Sequence, residues 1–360
     1  IEDSINGIKA GYAAGMKVIH IPDTIEINDD IRRLTSVVCH SLSDVPDIID
    51  TWNEGKVADV EGYYENAKIN RVYVDRVHVK KAFAEYTAAY NADDPKIKLK
   101  IDHTYRVAAL CERIAKAAGM CVYDVELAWL SGMLHDVGRF EQIKRYNTFS
   151  DADSVDHAKF GADLLFKDGL ISTFLNGMVK CTGYKPGALE NRYSSDGVFL
   201  YDRLNKSDME MLELAIRCHN MYRIPQGLNR REQAFCNVLR DADKVDIFKV
   251  NIDTPLEEIY NTTTEELMKS DITDEVLEAF DEEHCILKAI RRTPADTVIG
   301  HVSLAYELVY DESVRITVEQ GYLAKLMHFH SDNEETNRKM AMVREKMDSY
   351  VKKRIGEKDA

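Results

Sequence analysis

Histidine and aspartate side chains recur on the apolar sides of several predicted helices. The stretch SGMLHDVGRFEQ at 131–142 ends an apolar run on the adjacent residues His135 and Asp136. Asp243 falls in line with Phe235 and Leu239, because residues four and eight apart share a helix face. Three histidines share a side with apolar neighbours in the same way: His103, His157 and His219. A buried carboxylate without a partner is costly, so the aspartates on these faces require a cation or hydrogen-bond donors nearby.

Neutral imidazoles and carboxylates that converge from five helices would form a site for a divalent cation. The set contains no thiolate, and the seven cysteines of the chain are scattered and never spaced as CxxC. This composition favours Mn, Fe, Co, Ni, Zn or Mg, with open coordination positions, over a closed structural zinc site.

The elements that must position these side chains are helices. Asp94 and Pro95 are suited to the N-cap and first turn of a helix that carries His103 and stops at Gly119. Further helical patterns cover the ranges 123–136, 153–167, 208–222, 231–250, 255–291 and 333–354.

The beginning of the chain has a different texture. Residues 1–54 alternate helical patterns with short β-type runs, and residues 55–75 have no clear helical period. The sequence therefore predicts a mostly α fold, in which a partial α/β fragment at 1–54 and a linker at 55–75 precede an all-helical domain at 76–360.

Three motifs in chain order carry a resemblance to a known family: HTYRVA, LHDVGRF and RDADKVD. Together they resemble the H…HD…D pattern of the HD-domain superfamily of metal-dependent phosphohydrolases, over most of 98–250. Carried over residue by residue, the family's metal ligands fall on His103, His135, Asp136 and Asp243. Asp241 is the less favoured alternative to Asp243.

The resemblance extends to a second metal ion. His157 in DHAKFG and His219 in RCHNMY match the positions that bind this ion in the binuclear branch of the superfamily. In that arrangement Asp136 would bridge two ions, with His103, His135 and Asp243 on one ion and His157 and His219 on the other.

The resemblance implies hydrolysis of a phosphoester by a metal-activated water, with Asp136 and Arg139 as catalytic residues. Arg139 follows Asp136 by three residues, past Gly138, which we expect to be flexible. Charge that builds on phosphoryl oxygens requires fixed cations nearby. The candidate phosphate-binding residues are Arg139, Lys100 and Lys244, and the expected substrate is a nucleotide or another small phosphoester.

Two other functions are compatible with the same ligands. The six residues also resemble those of the di-iron HD oxygenases, and a catalytically inert, metal-binding regulatory protein would need no more than they supply. The neighbouring Arg139 favours the phosphohydrolase. After His219 the chain reads HNMYRIPQGL, in place of the GYP motif of the cyclic-dinucleotide branch, and this difference disfavours cyclic di-GMP as the substrate.

The amino-terminal segment IEDSINGIKAGYAAGMKVIHIPD carries a second resemblance, to the end of a haloacid-dehalogenase-type (HAD) hydrolase of the phosphoglucomutase group. The resemblance implies that Glu2 and Asp3 correspond to that family's Mg²⁺-binding acidic pair, and that the nucleophilic aspartate would precede residue 1. Without that nucleophile the pair would be the vestige of a Mg²⁺ site, because no aspartyl-phosphate can form.

Composition limits the partners. The 62 acidic and 47 basic residues give a net charge of −15, which on average repels a nucleic acid polymer. Apolar runs such as LAWLSGML are far shorter than the roughly 20 residues that cross a bilayer. We therefore expect a cytoplasmic protein with a small phosphorylated substrate and no membrane partner, while the sequence leaves its oligomeric state open.

Overall fold

The computed structural model describes residues 1–21, 34–38, 74–175, 204, 206–255 and 262–356, together with residues 42, 45, 46 and 49. The chain divides into two compact units, residues 1–72 with 197–201 and residues 73–196 with 202–360. Most of the predicted linker at 55–75 lies outside the described residues, so the domain boundaries remain predictions.

The first unit contains α1 (Ile5–Ala13), β1 (Ile19–His20) and β2 (Val37–Val38) among its described residues. The two strands are parallel, with Ile19 opposite Val37. Ser4 caps α1, because its hydroxyl accepts a hydrogen bond from the Gly7 N–H at 3.2 Å. The structure as a whole is mostly helical, as predicted, whereas the α/β fragment at 1–54 remains a prediction.

The described secondary structure of the second unit is all helical, with loops and turns between the helices. Its α-helices are α2 (Arg76–Thr87), α3 (Pro95–Ala117), α4 (Val122–Leu134), α5 (Val137–Tyr146), α6 (His157–Ala162), α7 (Ile171–Phe174), α8 (Lys206–Cys218), α9 (Arg230–Asp253), α10 (Thr264–Lys269), α11 (Asp274–Asp281), α12 (Pro294–Val302), α13 (Asp311–Gln320), α14 (Tyr322–Met327) and α15 (Glu334–Ile355). A π-helical turn (Asp163–Lys167) follows α6, and 3₁₀ turns occupy Lys288–Ile290 and Ser303–Glu307.

The two longest helices of the described chain begin at strong N-caps. Asp94 accepts a hydrogen bond from the Lys96 N–H at the start of α3, and Pro95 occupies the first turn as predicted. Asn229 and Glu232 form a capping box at the start of α9. Helix α3 packs against both α4 and α9, and these three helices position His103, Asp243 and the turn that carries His135 and Asp136.

The predicted helix over 255–291 is wrong. Helix α10 ends at Ser270, which has extended backbone angles, and α11 begins after Thr273, whose hydroxyl donates to Asp296. Glu283 then has a φ of 56°, which no α-helix accommodates. Threonine and serine side chains bind backbone or carboxylate partners here and so interrupt an apolar helical pattern.

An apolar core forms between α9 and the helices that follow it. Phe248 of α9 packs with Leu267, Phe280, Ile299 and Met340 from four later helices, and all five side chains are buried. Within the described part of the chain, no helix is both long and apolar enough to cross a membrane.

Candidate metal centre

Two long helices that pack against each other bring together the first candidate ligands. Helix α3 carries His103 and α9 carries Asp243, and His103 Nε2 lies 3.2 Å from Asp243 Oδ1. The other ring nitrogen, His103 Nδ1, lies 2.6 Å from Oδ2 of Asp246, one turn further along α9. Arg106 donates two hydrogen bonds to the same carboxylate, at 2.6 and 2.9 Å. The Asp246 carboxylate therefore fixes the orientation of the His103 ring.

The HD pair lies in the turn between two helices. Helix α4 ends at Leu134 and α5 begins at Val137, so His135 and Asp136 occupy the two turn positions. Asp136 has a φ of −106° and a ψ of 15°, and its side chain makes no capping hydrogen bond to α5. The Asp136 carboxylate points instead toward the histidines.

A glycine on α4 allows the HD turn to approach α3. A Cβ atom on Gly132 would lie 2.6 Å from the Cα atom of Ala108, so no larger residue fits between these helices. This close contact places His135 Nε2 3.3 Å from His103 Nε2.

The second pair of histidines comes from α6 and α8. His157 is the first residue of α6, His219 follows the last residue of α8, and their Nε2 atoms lie 3.1 Å apart. A Cβ atom on Gly138 would lie 2.5 Å from the His157 carbonyl oxygen and 2.7 Å from Gly161 N. Gly138 lies inside α5 and is not among the glycines with positive φ, and its flexibility remains a prediction. Its small size lets α5 and α6 touch.

The carboxylate of Asp136 lies between the two pairs. Its Oδ2 atom is 3.5 Å from Nε2 of both His103 and His135. Its Oδ1 atom is 3.5 Å from His157 Nε2 and 3.8 Å from His219 Nε2. All five side chains are buried. Each oxygen of Asp136 thus faces one pair of imidazoles.

Backbone carbonyls fix the protonation of two rings. His135 Nδ1 lies 2.8 Å from the Gly132 carbonyl oxygen, and His219 Nδ1 lies 2.7 Å from that of Ile216. Because a carbonyl oxygen only accepts hydrogen bonds, both rings carry a proton on Nδ1, and the neutral form of each ring has its lone pair at Nε2.

Carboxylates act in the same way on the other two rings, since Asp246 faces His103 Nδ1 and Asp151 faces His157 Nδ1 at 2.7 Å. Burial lowers the pKa of His219 to about 3, with the charges of His157 and His135 acting in the same direction. Burial lowers the pKa of His157 as well. Both rings are therefore neutral near pH 7, and their Nε2 lone pairs lie 3.1 Å apart with no proton between them.

Burial opposes charge on His103 as well, but Asp243 and Asp246 outweigh it and raise the pKa of this ring. A proton and a metal ion would compete for His103 Nε2. The Oδ1 atom of Asp136 is buried and has no hydrogen-bond donor. Converging lone pairs and an unsatisfied buried carboxylate oxygen are what a divalent cation would satisfy.

Three groups of described side chains are close enough to hold a metal ion: His103, His135 and Asp243; His135, Asp136 and His219; and Asp151, Asp156 and His157. The first two groups use the Nε2 side of the rings. The third lies on the Nδ1 side of His157, where Asp151 already accepts a hydrogen bond.

Two cations flank Asp136. Lys100 Nζ lies 2.6 Å from Asp136 Oδ2, and Arg139 Nε lies 3.7 Å from Oδ1. Both cations also lie near the ring of Phe149, at 5.6 and 5.8 Å from its centroid. Burial alone would raise the pKa of Asp136, but the charges of Lys100 and His135 hold this pKa well below its usual range.

Lys244, the third predicted phosphate-binding residue, has a different environment. Its ammonium group donates to the Arg240 carbonyl oxygen at 3.4 Å, and the side chain is almost fully buried. Burial lowers the pKa of Lys244 to about 8, and Arg240 adds to this effect. The structure brings Lys100 and Arg139 to Asp136 but directs Lys244 elsewhere.

These features lie within one stretch of the chain. Residues 101–249 match the family model of the HD domain. The match includes all six candidate ligands and supports the resemblance to the HD superfamily. Comparisons of the chain with curated proteins and with solved structures gave no match. HD domains bind divalent metals, and the match suggests activity of the metal-dependent phosphohydrolase type.

Two residues of the HD region that sequence reasoning missed support the histidines. Asp246 lies three residues after Asp243, and this helical spacing was a usable signal. Asp151 lies in the loop between α5 and α6, where no periodicity indicates a direction.

Asp241, the alternative to Asp243, faces away from the histidines. Its carboxylate accepts hydrogen bonds from the backbone N–H groups of Val309 and Tyr310 and from the Ser313 hydroxyl, at 2.8–3.0 Å. Burial raises the pKa of Asp241. This aspartate connects α9 to the segment that begins α13.

The acidic pair of the first unit lies outside the HD match. Glu2 forms a parallel bridge with His20, and its carboxylate accepts a hydrogen bond from the Ser4 hydroxyl at 3.4 Å. That carboxylate is close to Gly7 in the first turn of α1, where the helix dipole favours a negative charge. The comparisons give no match for residues 1–54, so the HAD resemblance and the Mg²⁺ role of Glu2 and Asp3 remain predictions.

Proposed function

We propose that this protein is a metal-dependent phosphohydrolase that acts on a nucleotide or another small phosphoester. The observation that carries the proposal is the convergence of four imidazole Nε2 atoms on the Asp136 carboxylate. The proposed metal ligands are His103, His135, Asp136, His157, His219 and Asp243.

The two oxygens of Asp136 favour two ion positions. Oδ2 faces His103 and His135, which lie beside Asp243. Oδ1 faces His157 and His219. Asp136 would be shared, as in other sites where one carboxylate lies between two ions. Divalent ions bound there would supply Lewis-acid chemistry for the activation of water and of a phosphoryl oxygen.

Lys100 and Arg139 support an anionic substrate. Both are nearly buried, and each lies within 4 Å of Asp136, so their charges are close to the position of a substrate at the ions. Fixed cations in such a place stabilise the negative charge that develops on phosphoryl oxygens. A neutral substrate, as expected for an oxygenase, would need neither cation. Lys244 would act on a phosphoryl group only after its ammonium group left the Arg240 carbonyl.

The test is a hydrolysis panel on the metal-stripped chain. Nucleotides and small phosphoesters would be assayed for phosphate release after reloading with Mn²⁺, Fe²⁺, Co²⁺, Ni²⁺, Zn²⁺ or Mg²⁺. We expect metal-dependent turnover that Asp136→Asn removes. Asp102→Asn is the matched control, because Asp102 is exposed, pairs with Lys98 on the surface and lies beside His103 in the chain.

The proposal would be overturned if the parent protein released no phosphate with any metal and substrate, or if Asp136→Asn were fully active. Oxygen consumption by the anaerobically iron-loaded protein, without phosphate release, would establish the oxygenase alternative. Tight binding of a phosphate ligand without turnover would establish the regulatory one.

A further inference from the structure

Asp151 connects a candidate ligand to a candidate phosphoryl-binding cation. Both of its carboxylate oxygens lie near His157 Nδ1, at 2.7 and 2.9 Å. Its Oδ1 atom also accepts a hydrogen bond from Arg139 Nη1 at 2.9 Å. One side chain thus contacts a histidine on one side and a guanidinium on the other.

The loop that carries Asp151 is held by a buried amide. Gln142 is fully buried, and its Nε2 donates to Asp151 Oδ1, Ser154 Oγ and the Val155 carbonyl oxygen at 2.8–3.0 Å. Its Oε1 accepts from Arg139 Nη1 at 2.7 Å. Every polar atom of the Gln142 side chain is used to fix Asp151 and Arg139 relative to α5.

Asp246 has the corresponding position beside the other pair of histidines, His103 and His135. It binds His103 Nδ1 and pairs with Arg106, a guanidinium that is one-third exposed. The two halves of the site therefore each have a supporting carboxylate, but only Asp151 also holds a cation that flanks Asp136.

We propose that Asp151 is a positioning residue that sets the affinity of the ion at His157 and His219 and the placement of Arg139 together. This inference rests on the proposed function, because it takes His157 as a ligand. A carboxylate at Nδ1 fixes the tautomer and orientation of an imidazole and makes its Nε2 a stronger donor. Loss of the Asp151 charge would weaken one of two ions and loosen Arg139 at the same time.

The test is calorimetric titration of the metal-stripped, full-length protein with Mn²⁺. We expect two ions in the parent protein and, in Asp151→Asn, a roughly 10–100-fold weaker affinity for one ion with the other unchanged. Asp151→Ala, which removes the acceptor altogether, should lose at least as much. A cooperative urea unfolding transition, measured in the presence of chelator, establishes that each variant is folded.

Three further variants show which ion is affected. In a His157→Ala background, Asp151→Asn should weaken Mn²⁺ binding no further, because the ring on which it acts is absent. Asp246→Asn should weaken the other ion. Asp156→Asn is the control on the same loop, since Asp156 binds Asn220 and caps α6 but makes no hydrogen bond to the His157 ring.

The link to Arg139 has its own readout. At Mn²⁺ concentrations that refill both positions of Asp151→Asn, kcat should remain at least about tenfold below that of the parent protein, because Arg139 is misplaced. Complete recovery of kcat under these conditions would overturn this part of the proposal.

The outcomes separate the inference from the proposed function. A parent protein that binds no divalent ion overturns both. Unchanged affinities in Asp151→Asn, or a single ion in the parent protein, overturn the role of Asp151 alone. An equal loss in Asp156→Asn and Asp151→Asn does so as well, because it would indicate an ion on the Nδ1 side of His157.

Discussion

Arg139 is held by acceptors that do not belong to the proposed ligand set. Its Nη1 donates to Gln142 Oε1 and the Phe149 carbonyl oxygen at 2.7 Å and to Asp151 Oδ1 at 2.9 Å. The charge is therefore fixed beside Asp136 before a substrate arrives. We expect Arg139→Gln to lower kcat by about 100-fold, the usual effect of losing one group that stabilises developing negative charge. Steady-state kinetics at saturating metal, with metal analysis of the same sample, measures this.

Arg145→Gln is the control for this prediction. Arg145 lies on the same helix but pairs with Glu141 on the exposed side of α5, so its loss should leave kcat unchanged. If Arg139 only helped to hold the metal ions, Arg139→Gln would lose metal but regain full activity when reloaded. That result would contradict the prediction.

His301 on α12, which is not one of the candidate ligands, gives the chain a pH-dependent stability. Its Nδ1 atom is sealed from solvent, and burial lowers its pKa from 6.5 to about 3, with the charges of Arg291 and Lys288 adding to the effect. Between these two values the unfolded chain binds more protons than the native one, so stability falls as pH decreases. The loss from this residue reaches up to about 2 kcal/mol at pH 5. Urea unfolding at pH 7 and pH 5 should show a smaller acid loss in His301→Gln.

His328→Gln provides the comparison, because His328 is exposed directly after α14 and its substitution should leave the acid loss as in the parent protein. Equal acid losses in all three proteins would show that His301 is not the residue responsible.

Helical periodicity was sufficient to predict residues that point to one place from several helices. His103, His219 and Asp243 each follow an apolar face. The structure brings His103 and His219 to Asp136, and it brings Asp243 to His103. The supporting carboxylates were not predicted, because Asp151 lies in a loop and its direction depends on how that loop folds over Gln142.

At the scale of helices, the contact between α5 and α6 determines where His157 lies. A Cβ atom on Gly138 would lie 2.5 Å from the His157 carbonyl oxygen and 2.7 Å from Gly161 N, and both are backbone atoms that cannot rotate away. We expect Gly138→Ala to separate the two helices, with a loss of about 1–3 kcal/mol in unfolding free energy. The same displacement should weaken Mn²⁺ binding at His157 and His219. Urea unfolding in chelator and Mn²⁺ titration measure the two effects.

Gly161→Ala is the graded comparison on the facing helix. Its Cβ atom would lie 3.0 Å from Gly138 N and 3.4 Å from Gly138 Cα, so a shift of a few tenths of an ångström would accommodate it. A larger loss in Gly161→Ala than in Gly138→Ala would contradict this account of the contact.

Sequence patterns predicted long helices better than short ones. The N-cap at Asp94 and the apolar stripe of α9 gave helices close to those in the structure. Helix α5 was missed, because the turn at His135 and Asp136 breaks the pattern that precedes it. The range 255–291 failed for a related reason, since Thr263 and Thr273 begin separate helices there and local side-chain hydrogen bonds outweigh periodicity.

At the scale of the molecule, α9 belongs to two parts of the helical unit at once. One side of it carries Asp243 and Asp246, while Phe248 packs into the core of the later helices. Arg113 of α3 adds ion pairs to Glu312 and Glu319 of α13. Because one helix supplies both parts, we expect the described helices of this unit to unfold together.

Asp241 tests this connection, and it also tests the choice between Asp241 and Asp243 in the stretch RDADKVD. It is buried and accepts hydrogen bonds from Val309, Tyr310 and Ser313, so Asp241→Ala leaves three donors without partners and should cost about 3 kcal/mol of unfolding free energy. Its affinity for Mn²⁺ should stay at the parent value, since the carboxylate faces away from the histidines. Asp243→Ala should do the reverse, with weak Mn²⁺ binding and a nearly unchanged stability in chelator. If Asp241→Ala instead lost the metal and Asp243→Ala kept it, Asp241 would be the ligand, and α9 would have to present its opposite face to His103.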